Sequence, residues 1–152
     1  MTNAFPKNDL ARPFPVKKIH WRVGATTKDK SKGIALAYLD ARDVMHRLDD
    51  VFGQYWQCRY PFAGCCEIGV FWEDQWIWRS NGAGETDIEG EKGQFSDSFK
   101  RAAVMWGVGR YLYALPNVWM PLDEYKRLTM VPELPEWATP EGFDLIMEKR
   151  NG

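Results

Sequence analysis

Cysteine is scarce in this chain. There are three in 152 residues, two of them adjacent (Cys65 and Cys66), and three thiols so placed do not make a disulfide framework. Long apolar runs are missing: nothing approaches the roughly 18 residues a membrane helix needs. The first residues, MTNAFPKNDLARPFP, lack the apolar core of a secretory signal. A reduced, cytoplasmic protein with no membrane partner is expected. No G-x-x-x-x-G-K-[ST] loop occurs, which argues against ATP-driven motor action. No G-x-G-x-x-G follows a strand, and Gly82-Ala83-Gly84 is only a two-glycine turn. There is no C-x-x-C, and the two histidines, His20 and His46, stand far from metal-ligand spacing with Cys58, Cys65 and Cys66. Neither a metal nor a cofactor is expected. An excess of one charge is absent too. The net charge is −1, which excludes a uniformly basic, histone-like protein.

What is present is an ordinary globular composition, 45% hydrophobic and 27% charged, at a length that suits one domain. The flat net charge hides a division. Residues 1–32 hold eight basic side chains (Lys7, Arg12, Lys17, Lys18, Arg22, Lys28, Lys30, Lys32) against Asp9 and Asp29. The rest of the chain therefore carries twelve of the 20 basic and 19 of the 21 acidic residues. Such separation points to a polyanion or an acidic surface as the partner of the N-terminal stretch. A solvated, partly disordered leader is the plainer reading. Tryptophan is the second oddity, with eight residues. Most such rings belong to cores or contacts between subunits, and some serve as platforms for unpaired bases.

The pattern along the chain divides at residues 33 and 115. Residues 1–33 read as a basic arm, with Pro13 and Pro15 discouraging helix. Val16–Val23 has the character of a short strand, and Thr26–Gly33 of a flexible basic loop. Residues 34–115 read as a compact core, opening with a brief extended lead-in at Leu36–Leu39. Asp40 and Asp43 then suit an N-cap and N3 position. Val44, Met45, Leu48, Val51 and Phe52 form one apolar helical stripe, closed by Gly53. A helix over 41–52 follows. Tyr55–Phe62, Cys65–Trp72 and Trp76–Ser80 are short aromatic and β-branched runs separated by turns, the pattern of an antiparallel meander. After the acidic stretch 85–93, a second helix is predicted from Gln94 to Ala114, with Phe95, Phe99, Ala102, Ala103, Trp106 and Tyr113 on its apolar face. Residues 116–152 are proline-rich and read as a surface arm ending in a short helix, with Thr139 as N-cap and Pro140 at N1. The fold class is α+β: a three-stranded β-meander packed on a long helix (β-β-β-α) with a helix before it.

Two functional readings need no family. The carboxylates Glu85, Asp87, Glu89 and Glu91 offer a metal-dependent nuclease. They crowd one loop, however, where a two-metal site draws on separated rigid elements. A protein-interaction module with an acidic body and a basic arm is the other.

Three segments taken together resemble the Rad-fifty-two superfamily of single-strand annealing proteins, including its phage members. They are YLDARDVMHRLDDVFGQYW (Tyr38–Trp56), the meander with its trailing Gly-x-Gly, and SDSFKRAAVMWGVGRYLY (Ser96–Tyr113) with its Asp-x-x-Lys-Arg-Ala core. The likeness spans roughly Val16–Leu115. It implies a non-enzymatic, ATP-independent homo-oligomer, a ring or helical filament. Such an assembly would bind single-stranded DNA and anneal complementary strands in homologous recombination and repair. An exonuclease partner and a host bacterial cytoplasm are implied if the gene is phage-borne. The resemblance places Arg22, Lys100 and Arg101 at the DNA. A further family arginine falls on Val104 here, and Arg110 or the Lys28, Lys30 and Lys32 loop stands in for it. Arg59 is a weaker candidate from the sheet. Trp21 and Tyr60 are candidates for base stacking. The family's basic loop before the long helix is acidic here, which removes support for a second, duplex-binding site. Annealing requires a strand gripped by its phosphates with base edges left free, and Lys and Arg supply that grip without sequence preference. The bland alternative for the Lys100–Arg101 pair is a helix-surface ion pair with Asp97. A meander also leaves two open edges, and pairing between copies would close them into a ring or filament.

Overall fold

The computed structural model describes residues 4–82 and 90–151, with backbone only at 90–92. The described chain forms two compact units. One comprises Met1–Arg12 with Ala41–Arg110; the other comprises Pro13–Asp40 with Tyr111–Gly152.

The first unit contains the β-β-β-α core. Helix α1 (Lys7–Ala11) stops short of Pro13, and its Leu10 is fully buried. The Arg47 guanidinium holds this turn, donating to the carbonyls of Asp9, Leu10 and Arg12 at 3.1, 3.1 and 2.7 Å. Arg47 belongs to α2 (Ala41–Phe52), whose buried stripe is Val44, Leu48 and Phe52; of the five residues in the predicted stripe, Val51 is half-buried and Met45 exposed, because they lie at the edge of that face. Gly53 closes α2 in the left-handed region at φ +59°, its N–H bonded to the Asp49 carbonyl. The meander then runs through β3 (Trp56–Phe62), β4 (Cys65–Trp72) and β5 (Gln75–Gly82), antiparallel in that order.

One face of this sheet packs against α3 (Gly90–Met105). Cys66, Ile68 and Val70 of β4 meet Phe99, Ala102 and Ala103 there, all buried, and each large apolar side chain so removed from water contributes about 1.5–3 kcal/mol. The predicted helix to Ala114 is too long. The structure ends it at Met105, because Gly107 and Gly109 take φ of +100° and +76°, conformations that leave the helix and that glycine adopts without steric cost. A single 3-10 turn, Arg110–Ala114, follows. Trp106 seals the junction: its indole N–H donates to the Ile68 carbonyl at 3.0 Å, and its ring packs near Phe5.

The second unit is built on a sheet of β1 (His20–Thr26), β2 (Lys32–Tyr38) and β6 (Trp119–Pro121), with β2 in the middle. Residues of the basic N-terminal stretch and of the proline-rich C-terminal stretch thus share one sheet. Val16–Lys18, read as part of a strand, is a 3-10 turn leading to β1. Thr26–Gly33, read as a flexible loop, is a tight turn between paired strands. Helix α4 (Pro140–Asn151) starts as predicted, with Thr139 Oγ1 accepting the Gly142 N–H at 3.1 Å. Among the described residues, no helix is long and apolar enough to cross a membrane.

Candidate functional site

Three of the predicted cations sit on the β1–β2 turn, and an aspartate shapes it. Asp29 Oδ1 accepts from the Ser31 N–H at 3.0 Å, the Ser31 hydroxyl at 2.8 Å and the Thr27 hydroxyl at 2.8 Å. The Thr27 oxygen accepts the Lys32 N–H at 3.1 Å, and the Lys30 ammonium donates to Thr26 Oγ1 at 3.0 Å. Lys30 turns the chain at φ +64°. The Ser31 hydroxyl and amide, then Thr27, hold the Asp29 carboxyl down to about 2, so it stays ionised and keeps accepting. Lys28, Lys30 and Lys32 are all exposed around this frame. Sequence reasoning missed Asp29, although Thr-x-Asp-x-Ser is the residue chemistry of an Asx turn. Arg22 is exposed on β1 of the same unit, opposite Leu36, and Trp21 is half-buried on the other face of that strand.

In the first unit, Lys100 and Arg101 lie on α3 beside its buried residues and are half-buried themselves. Arg101 Nε stands 3.5 Å from Asp97 Oδ1, four residues back. The helix-surface ion pair is therefore present, and part of that charge is answered within the helix. The hairpin lysines are the more accessible cations.

Arg110 has a structural task. Its guanidinium donates to the Val104 carbonyl at 3.1 and 2.8 Å and to the Met105 carbonyl at 3.1 Å. Arg79 adds a 2.8 Å bond to Met105 and lies 4.1 Å over the Trp106 ring. Two arginines thus satisfy the orphan carbonyls at the α3 C-terminus, where the helix dipole favours positive charge.

Arg59 lies on the sheet face opposite α3. It is bonded to Glu67 at 3.2 Å and sits 3.7 Å over the Trp78 ring. Trp78 in turn crosses Gly69, and Tyr55, Phe71 and Trp76 continue the aromatic row. Tyr60 faces the other way, packing edge-on to Phe95 of α3 with centroids 5.0 Å apart. Burial pushes its hydroxyl well above the usual range. Glu85, Asp87 and Glu89 of the nuclease reading lie outside the described residues, as does the side chain of Glu91. Among those described, no group of three or more metal-binding side chains occurs.

Similarity to known proteins completes the picture. The profile of the Rad52/22 family of double-strand break repair proteins matches residues 6–69 and 67–129. The chain is 39% identical over 143 residues to the single-stranded DNA-binding protein DdrA of Deinococcus deserti, covering 87% of this chain and 69% of that protein. Against DdrA of Deinococcus radiodurans it is 35% identical over 143 residues, covering 87% and 66%. The chain thus spans about two thirds of the length of these relatives. No solved structure matches. Matched over residues 6–69 and 67–129, which take in α2, the meander and α3, this chain belongs to the Rad52/22 family of double-strand break repair proteins.

Proposed function

We propose that this protein binds single-stranded DNA without sequence preference and anneals complementary strands without ATP, as an assembly of identical copies. The observation that carries this reading is similarity to single-stranded DNA-binding proteins across 87% of the chain. The exposed Lys28, Lys30 and Lys32, with Arg22 on the neighbouring strand, supply a phosphate-binding surface in one unit. Lys100 and Arg101 supply another in the other unit. Contacts of this kind release counterions, so affinity falls steeply with salt. Arg110 and Arg59, already bonded within the protein, contribute less. Assembly has a physical basis in the meander, whose outer strands β3 and β5, among the described residues, each pair on one side only. Edges of that kind are covered in soluble proteins, and edge pairing between copies yields a ring or a helical filament.

Fluorescence anisotropy with labelled oligothymidylate tests the reading. Binding that weakens by roughly tenfold or more between low and moderate salt is expected for several phosphate contacts. The triple variant Lys28→Ala/Lys30→Ala/Lys32→Ala and the double variant Lys100→Ala/Arg101→Ala should each bind more weakly with a shallower salt slope. A folded protein that ignores the oligonucleotide in dilute buffer would refute the proposal, and light scattering that finds only monomer would refute the assembly.

A further inference from the structure

Two turns meet at one end of the sheet in the second unit. Strand β6 runs antiparallel to β2, with Pro121 opposite Lys32 and Trp119 opposite Ile34. The chain therefore leaves β6 at the end where β2 begins, beside the β1–β2 turn. The Leu122 N–H ties the two together, donating to the Ser31 carbonyl at 2.9 Å. From there the chain folds back: Leu122 bridges Leu128, and the Asp123 N–H donates to the Arg127 carbonyl at 2.9 Å. The tip of this second hairpin is Asp123-Glu124-Tyr125-Lys126-Arg127.

An aspartate shapes this tip as Asp29 shapes the other. Asp123 Oδ1 accepts the Tyr125 and Arg127 N–H groups at 2.8 and 2.9 Å, and Lys126 takes φ +65° where Lys30 takes +64°. The Arg127 amide, then the Tyr125 amide and the Arg127 charge, hold the Asp123 carboxyl below its ordinary range, so it remains an acceptor. Its second oxygen accepts from Arg127 Nε at 3.2 Å. The guanidinium so held lies 4.9 Å over the Tyr125 ring, within the range of a cation–π contact. The ring is nonetheless 68% exposed. A fixed backbone and a partner on one side leave this ring ready to take a flat group at little cost in ordering.

The chemistry of the two tips selects that group. Lys28, Lys30 and Lys32 on one tip and Lys126 and Arg127 on the other are exposed. Of the carboxylates alongside, Asp29 and Asp123 are engaged by the amides of their own turns, and Glu124 is exposed. Cations around an open aromatic ring suit a polyanion that also carries unpaired rings. Single-stranded nucleic acid has both, and its bases stack on aromatic side chains without regard to sequence. A duplex keeps its bases stacked on one another.

We propose that the 122–128 hairpin and the β1–β2 turn form one continuous single-strand site, in which Tyr125 stacks an unpaired base and Lys126 meets an adjoining phosphate. This rests on the reading that the protein binds single-stranded DNA, and adds a grip on the base. Arg127 is a positioning residue that holds the ring by its face. Stacking covers the face of a base and leaves its pairing edge open, as annealing requires.

The test compares oligothymidylate with an abasic strand of equal length by fluorescence anisotropy on the full chain. The parent should prefer oligothymidylate. Tyr125→Ala should lose about fivefold or more in affinity for oligothymidylate and change little toward the abasic strand, which has phosphates but no base. Tyr125→Phe, which keeps the ring, should bind like the parent. Lys126→Ala should weaken both strands and flatten the logarithmic salt slope by about 0.7. Arg127→Ala should narrow the preference for oligothymidylate. These side chains are exposed, and a parent-like urea midpoint checks that each variant is folded. If the parent binds oligothymidylate and Tyr125→Ala binds it equally well, or weakens both strands alike, the stacking role is overturned while the single-strand reading stands. An unchanged salt slope in Lys126→Ala would overturn the phosphate contact. A parent that binds neither strand would overturn this site and the single-strand reading together.

Discussion

Asp29 shows how one side chain can serve a surface of the opposite charge. It adds a negative charge among three lysines, yet it accepts three hydrogen bonds that fix the turn carrying them. Charge and geometry separate on substitution. Asp29→Asn removes the charge and keeps an accepting oxygen, whereas Asp29→Ala removes both. The two variants have equal net charge, so screening affects them alike. If the frame positions the lysines, the alanine variant should bind oligothymidylate several-fold more weakly than the asparagine variant by anisotropy, and equal affinities would show that charge alone matters. The carboxyl is held down to about 2 from 3.8. A depressed carboxylate supports the folded turn fully above its ordinary value and loses that support as the pH falls through about 2. The Ser31 amide resonance should therefore titrate with that low midpoint in the parent and show no such midpoint in Asp29→Asn.

At the scale of elements, the β3–β4–β5 sheet depends on a missing side chain. A Cβ at Gly69 would stand 2.8 Å from the Trp78 ring, so only glycine lets that indole lie across the sheet beneath Arg59. Gly69→Ala should cost about 1–3 kcal/mol by overpacking, read as a lower urea midpoint, and an unchanged midpoint would show that Trp78 finds another place. The helix α2 and the three strands were legible in the sequence because their apolar spacing is local and periodic. The end of α3 was harder. Phe95 through Tyr113 read as one helical stripe that runs past the point where Gly107 and Gly109 turn the chain, and the two arginines that cap the turn arrive from β5 and from beyond the helix. Strand β6 left no sequence signal. Three residues, Trp119–Pro121, become a strand only by pairing with Lys32, Gly33 and Ile34. For the candidate site, residue types and family likeness pointed to the cations. Which of them are engaged within the protein, as Arg110 and Arg59 are, depends on contacts between elements distant in sequence.

At the scale of the whole molecule, chain order and spatial grouping differ. Pro13–Asp40 and Tyr111–Gly152 form one unit although Ala41–Arg110 lies between them in sequence. Removing residues 116–152 would take away β6 and the Val118 carbonyl that receives the Ala35 N–H. A two-stranded ribbon is marginal by itself. Amide exchange at Ile34 and Ala35 should therefore quicken in the shortened protein, and unchanged protection there would mean that β6 adds little. Lost DNA affinity in such a truncation would not by itself place the C-terminal residues at the DNA. The same interleaving bears on synthesis. Strand β2 leaves the ribosome well before its second neighbour is made, and nascent chains crowded on one messenger then expose matching unpaired borders. Lys32, the one lysine of that border, discourages one chain from adding to the next, so an ammonium group proposed to meet phosphate would also keep unfinished siblings apart.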